Sequence, residues 1–456
     1  MLPFLDKIEK FTENLNDTSG FRINPWPVFI LGLVLLVMSF VFMPNIVAFA
    51  ISISLFLAPI WLPFLLMGGA WILWIIWRQS EFLADQEYIL LEIKLPRNLV
   101  KTPLAMEAFL STLHLSGGES NWYLRWIKGS SRPFWSLEIA SFEGQVHFFI
   151  YGRKTFRRLI ESQLYAQYPG VQLIETTDYT KFISGEPSDW SGIWGCDFKQ
   201  TAKEGDALPI KTYVEYGLDK VQKEPEQVDP LSNLLEFMSS IGKGEYLWLQ
   251  FVIRFHKGEK YHKLNKEGKP YTWRDQANEI VSEIRKKTRD PYVDPVTGEE
   301  RPGFPNPTKG QSEKIAAIER NVSKLAFDVG IRSIYFVKEK FNVVTVLHMI
   351  ALFKPFSTEG WNGINSTAWM KSFNDYPWEI GVDKVKDSYR RKMVEAYRRR
   401  QFFYEPFSFG LPKDDIMVMS TEEIATLYHI PSSTAAAPGL GRIQSATGEA
   451  PVNLPV

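Results

Sequence analysis

Cysteine is almost missing from the sequence: Cys196 is the sole one in 456 residues. That excludes an intramolecular disulfide and any metal site built from several thiolates, and it fits a reducing compartment. An excess of either charge is missing too, with 52 basic residues against 52 acidic ones. A chain that grips a nucleic-acid backbone over a broad surface is expected to be basic, and this one is not. There is no GxxxxGK[ST] loop, no GxSxG elbow, no HExxH and no EF-hand loop. Gly242-Lys243-Gly244 comes nearest to a glycine-rich phosphate loop and reads more simply as a turn between a helix and a strand. His114, His147, His256, His262, His348 and His429 show no metal-ligand spacing. These absences set the expectation of a non-enzymatic protein without cofactor or metal.

The most informative absence is local. From Trp26 to Trp77 there is no Lys, Arg, Asp, Glu or His. A crossing of the hydrocarbon layer takes about 20 apolar residues, so the run is read as two crossings that turn at Pro44-Asn45. The first runs from Pro27 to Met43 and the second from Ile46 to Trp77. Pro59, Pro63 and Gly68-Gly69 give the longer second span places to kink or pack closely. Trp26, Trp61, Trp71, Trp74 and Trp77 include interfacial anchors. Lys7, Lys10, Arg22 and Arg78 flank the run while its turn is uncharged, which places both ends in the cytoplasm by the positive-inside rule. The expected location is therefore the cell's inner (cytoplasmic) membrane, multi-pass, with a soluble region facing the cytoplasm.

Beyond that run the pattern alternates between strands and helices. Tyr88 to Leu95 reads as a strand, and Thr102-Pro103 opens a helix to His114. Trp135 to Ser141 and Gln145 to Tyr151 alternate around the turn Glu143-Gly144, and Phe156 to Tyr168 is a helix before a strand from Val171 to Thr176. The order β-α-β-β-α-β is the split βαβ, or ferredoxin-like, unit. A looser second unit begins with a strand at Lys211 to Tyr216, and Asp229-Pro230 opens a helix as Thr102-Pro103 does. Strands at Glu245 to His256 and Arg332 to Lys338 follow, with helices at Ser312 to Asp328, ended by Gly330, and at Val343 to Phe353. A helix at Trp273 to Lys287 and a mobile Pro/Gly-rich loop, Asp290 to Lys309, fall in an insertion.

The fold class is thus expected to be α+β: an N-terminal transmembrane helical hairpin followed by tandem ferredoxin-like (β-α-β-β-α-β) units with insertions. The expected divisions are a cytoplasmic segment (1–25), the hairpin (26–78), a first α/β unit (86–180) and a second (205–355) with a long insertion at 257–310. An irregular region (356–430) with a basic helix and a short helix opened by the capping box Ser420-Thr421-Glu422-Glu423, and a flexible tail (431–456), complete the chain.

Two features stand out as contact candidates. The helix KVKDSYRRKMVEAYRRR carries Lys384, Lys386, Arg390, Arg391, Arg398, Arg399 and Arg400, candidates for contact with a partner or a polyanion. A solvated surface, anionic inner-leaflet lipid and nucleic acid are three readings that stay open for it. The loop FKPFSTEGWNGIN, with Phe353, Phe356, Trp361 and Asn362, is a candidate interaction loop. On the strand Val146 to Tyr151, the row His147, Phe149 and Tyr151 is either covered by a neighbouring domain or a stacking platform for bases.

Several stretches taken together resemble a bacterial family: YILLEIKLP (Tyr88 to Pro96), KTPLAMEAFL (Lys101 to Leu110), SQLYAQYPGVQL (Ser162 to Leu173) and VDPLSNLLEFMSS (Val228 to Ser240). GEYLWLQFVIR (Gly244 to Arg254), FKPFSTEGWNGIN and MSTEEIATLYHIP (Met419 to Pro431) continue the series. The family comprises membrane-anchored regions found ahead of, or encoded beside, HerA/FtsK-like DNA-translocating ATPases of the type IV secretion coupling-protein kind. The resemblance implies a membrane-anchored assembly region of a DNA-transfer or secretion machine, a homo-oligomer working with such an ATPase. Relatives of the fused kind continue into the ATPase from a segment like Val452-Asn453-Leu454-Pro455, where this chain stops at Val456. Nucleotide hydrolysis is therefore not carried over, and a separately encoded motor is expected. The alternative is a membrane-tethered nucleic-acid-binding protein, with a small channel or a cryptic membrane enzyme ranked behind it.

Overall fold

A computed structural model of the protein describes residues 25–97, 99–202, 204–220, 229–261, 264–293, 300–367, 382–404, 416–432 and 438–443. Lys7, Lys10 and Arg22 of the expected cytoplasmic segment lie outside the described residues, as do 294–299 of the Pro/Gly-rich loop and Val452 to Pro455 of the tail. The chain forms two compact units, Met1–Trp74 and Ile75–Val456.

The described residues of the first unit are helical, and its second helix continues into the second unit. Helix α1 spans Pro25–Phe42 and α2 spans Pro44–Ala84, with Met43 between them. Pro44 and Asn45, expected as a turn, are instead the first residues of α2, where a proline's missing N–H would have had no helical partner anyway. The Val47 N–H donates to the Met43 carbonyl at 3.1 Å. Among the described residues α2 is the one helix long and apolar enough to cross a membrane. Its 41 residues make it about 60 Å long, roughly twice the hydrocarbon thickness of a bilayer. Pro59 and Pro63 lie inside it, and its apolar side chains are exposed along most of its length.

The second unit is an antiparallel sheet with helices. Its first half runs β1 (Tyr88–Pro96), α3 (Pro103–Thr112), β2 (Phe134–Phe142), β3 (Gln145–Arg153), α4 (Arg157–Gln167) and β4 (Gln172–Thr176). The second half runs β5 (Gly192–Gln200), α5 (Pro230–Ser239), β6 (Glu245–Phe255), α6 (Trp273–Lys287), β7 (Arg289–Val293), β8 (Glu300–Pro305) and α7 (Lys309–Ser323). It continues through β9 (Ala326–Val337), α8 (Val343–Ile350) and β10 (Ile364–Ser366). Helix α9 (Val382–Arg399), β11 (Met417–Ser420), α10 (Thr421–Leu427) and β12 (Arg442–Ile443) follow. Across the sheet the order is β10-β5-β9-β6-β2-β3-β1, with β4 on the other edge of β1. Numbering the four strands of each half along the chain, both halves read 4-1-3-2. They join edge to edge through β2 and β6, in register from Phe134↔Arg254 to Phe142↔Tyr246.

Local chemistry sets many of these boundaries. Glu143 and Gly144 both have positive φ (53° and 87°), the backbone of the tight turn that suits a two-residue hairpin. Proline occupies the first turn of α3 and of α5, and Asp229 caps α5 by accepting from the Leu231 N–H. Thr272, Thr308 and Ser420 each form a reciprocal capping box with the residue three positions on.

Four expectations need correction. The second half opens with β5, not with Lys211 to Tyr216, which forms turns. There the Thr212 N–H donates to the Glu215 carboxylate at 2.8 Å, and this local bond bends the chain. The β5 sequence GIWGCDFKQ carries two glycines, which weaken the strand signal. Gly195 is needed because Met393 Sδ would lie 2.5 Å from a Cβ there. Secondly, β9 begins at Ala326, so Asp328 and Gly330 sit inside a strand rather than ending a helix. Thirdly, β7 and β8 pair as an antiparallel hairpin within the loop expected to be mobile. Finally, the tail expected to be flexible is held at Leu440 to Ile443. Leu95 and Pro96 of β1 pair in parallel with Arg442 and Ile443, and the Val146 N–H donates to Gly439 at 2.9 Å.

The sheet is covered on both faces. On one, Met106, Phe109, Ile160, Leu164, Leu234, Met349 and Ile424 from the helices pack on Leu91, Leu137, Ile150, Phe251 and Ile331. On the other, Met393, Val394 and Tyr397 of α9 meet Ala140, Phe149, Trp248 and Ile334, and Phe402 to Tyr404 meet Phe134 and Val252. At Gly330 a Cβ would stand 2.3 Å from the Phe402 ring, so a side chain would push this segment off the sheet. Gly330→Ala is expected to lower stability by about 1–3 kcal/mol, as overpacking does in a filled core. Denaturant unfolding of the purified protein checks it, and an unchanged midpoint refutes the packing argument.

Candidate functional site

Antiparallel pairing places one residue of each strand in line across the sheet. Glu92, Phe149, Glu138, Gln250, Arg332 and Asp197 are successive register partners from β1 through β3, β2, β6 and β9 to β5. Five of the six are polar, and they point to the face that α9 covers. A buried charge is costly unless paired and hydrogen-bonded, so their partners decide whether this row is tolerable.

Glu138 is the centre. Its carboxylate accepts from Ser136 Oγ (2.6 Å), Tyr179 Oη (2.8 Å), Gln250 Nε2 (3.1 Å) and Arg400 Nε (2.8 Å), which fills its acceptor capacity. Arg400 also donates to Asp178 Oδ1 at 3.0 Å and to the Arg398 carbonyl at 2.9 Å. Its guanidinium lies 4.1 Å from the Tyr151 ring centroid. Burial and the neighbouring Glu138 carboxylate push the Tyr179 and Tyr397 hydroxyls well above the usual phenol range, so both stay protonated and available as donors. Burial opposes ionisation of Asp178, but the hydrogen bonds and charge of Arg400 outweigh it and hold its carboxyl below the usual range.

The backbone at Arg400 explains how it gets there. The Arg400 N–H donates to Tyr397 and the Gln401 N–H to Ala396, closing α9 as a Schellman turn. The residue after such a helix end is usually glycine because φ is positive, and Arg400 has φ 52°. A left-handed backbone costs a non-glycine residue about 1–2 kcal/mol, and here the ion pairs offset it.

Past Arg400 the chain straps the rest of the face. Arg332 and Asp197 form a bidentate pair at 2.7 and 3.2 Å, both fully buried, with Phe402 stacked 4.3 Å from the Arg332 guanidinium. Arg254 Nε donates to Asp328 Oδ2 at 2.8 Å and lies under Phe403 at 4.3 Å. His256 Nδ1 is 2.6 Å from Asp328 Oδ1, and Tyr404 Oη donates to Glu119 at 3.1 Å. Burial works against the Asp328 charge, yet Arg254, His256 and Arg132 prevail and hold its carboxyl down at about 2.

Most of the residues expected to form contact surfaces are engaged within the protein. Arg400 is buried, and Arg398 donates to the carbonyls of Thr180 and Ile183 at 3.2 and 2.5 Å. Arg390 donates to Ile193 O and pairs with Asp387, Arg391 pairs with Glu186, and Arg399 with Glu395. Lys384 is exposed and Lys386 half-buried at the start of α9. The basic helix is therefore a docked element whose arginines are largely engaged with the protein itself. Phe353, Phe356 and Asn362 of the expected interaction loop are buried, and Trp361 is half-buried. Phe353 packs edge-on against Phe198, and Asn362 Oδ1 accepts from the N–H groups of Thr201, Ala202 and Gly363. The loop staples β10 and its neighbours because its polar group satisfies backbone donors inside the core. In the row on β3, Tyr179 covers Phe149, Arg400 covers Tyr151, and His147 pairs with Glu92 at 2.7 Å.

Sequence reasoning missed Glu138, Gln250, Arg332, Asp197 and Asp328. Their signal was a polar residue set among mostly apolar neighbours within a strand. Among the described residues no group of three or more His, Cys, Asp or Glu is arranged to hold a metal ion.

The fold and this row define an α+β protein in which a long apolar N-terminal helix precedes an antiparallel sheet strapped by ion-paired C-terminal segments. The chain belongs to the family described as Domain of unknown function (DUF8128), whose model matches residues 79–439. No curated protein and no solved structure matches the chain.

Two outcomes follow from the buried pairs. Arg332→Met strands the Asp197 carboxylate and is expected to cost about 3–5 kcal/mol, whereas Arg332→Met with Asp197→Leu should cost much less. Urea unfolding of the three proteins measures this, and equal losses would show that the charges are not coupled. Because the folded Asp328 value lies below its ordinary 3.8, its contribution is complete above that value and is lost as pH falls toward 2. Asp328→Asn should flatten this acid limb in unfolding midpoints taken across pH, and an equally steep limb contradicts the assignment.

Proposed function

We propose that the protein is a non-catalytic, membrane-anchored scaffold of a type IV secretion-like or DNA-translocation machine. On this reading it docks a separately encoded P-loop ATPase of the HerA/FtsK-like kind and assembles as a homo-oligomer. The observation that carries the reading is the continuity of α2, uncharged up to Trp77, with a sheet domain whose buried charges are spent on holding its own shape. A tether joined to a braced body suits an assembly part better than it suits a binding cleft.

The finer parts of the reading have their own support. Two tandem ferredoxin-like units account for the 4-1-3-2 order in each half, with α6, β7, β8 and α7 as an insertion in the second. Two membrane crossings account for the length of the uncharged run, the chain turning near Met43, and Arg78 at its end favours a cytoplasmic sheet domain. The stretches that resemble ATPase-associated membrane regions fall largely on framework: YILLEIKLP is β1, GEYLWLQFVIR leads through β6, and MSTEEIATLYHIP runs through α10. The arginines engaged within the protein leave the nucleic-acid alternative without its main motivation.

Affinity purification of the full-length protein from detergent-solubilised membranes is expected to bring down a P-loop ATPase identified by mass spectrometry. Repeated purifications without one would refute the docking role.

A further inference from the structure

Residues 118–131 close on themselves at one side of the sheet domain. A Cβ on Gly118 would stand 2.6 Å from the Ser131 carbonyl oxygen, and its φ of +109° favours glycine. Both ends are tied from inside: Glu119 pairs with Arg132 at 3.3 Å, and Ser131 accepts from Arg153 at 3.1 Å. Between them runs Asn121-Trp122-Tyr123-Leu124-Arg125-Trp126-Ile127-Lys128. Asn121 Oδ1 accepts from the Leu124 N–H at 2.9 Å, and Tyr123–Ile127 winds as a single π-turn closed by the Lys128 N–H on Tyr123 O at 3.1 Å. The loop thus holds a defined shape, and from it Trp122 and Tyr123 project, 69% and 47% exposed.

Its neighbour gives this exposure a meaning. Arg78 Nε donates to Ile127 O at 2.8 Å, and a Cβ on Gly129 would touch the Arg78 carbonyl at 2.3 Å. Arg78 is the residue at which the charge-free run from Trp26 ends, and Trp77 beside it is also exposed. The loop therefore packs against the residue at which the charge-free stretch ends. It combines rings that have an apolar body and a polar edge with two cations, the composition that favours the headgroup layer of a bilayer. The groups interleave: Lys128 Nζ lies 5.9 Å from the Tyr123 ring, and the Arg125 guanidinium 5.0 Å from that of Trp126.

We propose that the 121–128 loop is an interfacial membrane contact, with Trp122 and Tyr123 seated among phospholipid headgroups and Arg125 and Lys128 adding positive charge at the same level. The sheet domain then has a second hold on the bilayer besides α2 and meets it in a set orientation. This inference rests on α2 being embedded in a membrane.

The test uses the full-length protein in vesicles of phosphatidylethanolamine and phosphatidylglycerol, with Cys196→Ala to remove the natural thiol. A nitroxide is attached at Trp122→Cys, at Tyr123→Cys, or at Lys309→Cys, the last on a side chain 92% exposed. At 122 and 123, relaxation by oxygen is expected to exceed relaxation by a water-soluble nickel complex, with the order reversed at 309. Labels at 122 and 123 as open to nickel as the one at 309, in protein that resists carbonate extraction, overturn the contact while the anchor stands. Labels shielded from both reagents indicate a protein partner and overturn it as well. Protein released by carbonate refutes the anchor itself, and the inference with it.

Discussion

Arg400 reaches Glu138 and Asp178 from a backbone conformation that glycine usually fills, and much of the second unit's form depends on that contact. Ending α9 there directs the following chain across the sheet, so that Phe402 lands on Arg332 and Phe403 on Arg254. The two stacks and the ion pairs beneath them are one construction. Each guanidinium is hydrogen-bonded to a carboxylate and capped by a ring, which lets a charge sit in a core.

The transverse row also specifies the sheet. Side chains alternate between faces along a strand, so a slip of one residue would carry Glu138, Gln250 or Arg332 away from α9 into the apolar core on the opposite face. An all-apolar sheet with both faces covered would tolerate alternative pairings more readily. Because Glu138 on β2 bonds to Gln250 on β6, the row fixes the seam where the two halves meet. The same seam lets α9 and its strap bear on both halves at once.

Seen in this light, the basic stretch from Lys384 to Arg400 changes character. Arg390, Arg391, Arg398 and Arg400 reach carbonyls or carboxylates of other segments, so much of the helix's positive charge holds the segment in place. The aromatic and cationic loop beside Arg78 is arranged the other way: its ends are tied inward and its rings project. The proposed anchored scaffold has use for both kinds of surface, one to keep its shape and one for the proposed contact with the bilayer.

The apolar N-terminal run, both opening helices of the sheet halves, the Glu143-Gly144 hairpin and the capping box at Ser420 were all legible in the residues. Each depends on short-range chemistry: an unbroken absence of charge, a proline at a first helical turn, positive φ at a turn, a side chain capping its own helix. Strand β5 was not legible, because Gly195 makes room for Met393 and the Ser333 carbonyl and Gly192 for the Phe341 ring, groups that arrive from far along the chain. Nor was the start of β9, since Asp328 and Gly330 look like a helix end until Arg254 and Phe402 are in place. Sequence alone determined that a long uncharged segment precedes an α+β domain, because hydrophobicity and turn chemistry are properties of neighbours. Only the tertiary structure decided where the charges go, because a buried arginine is identified by the distant carboxylate that pairs with it.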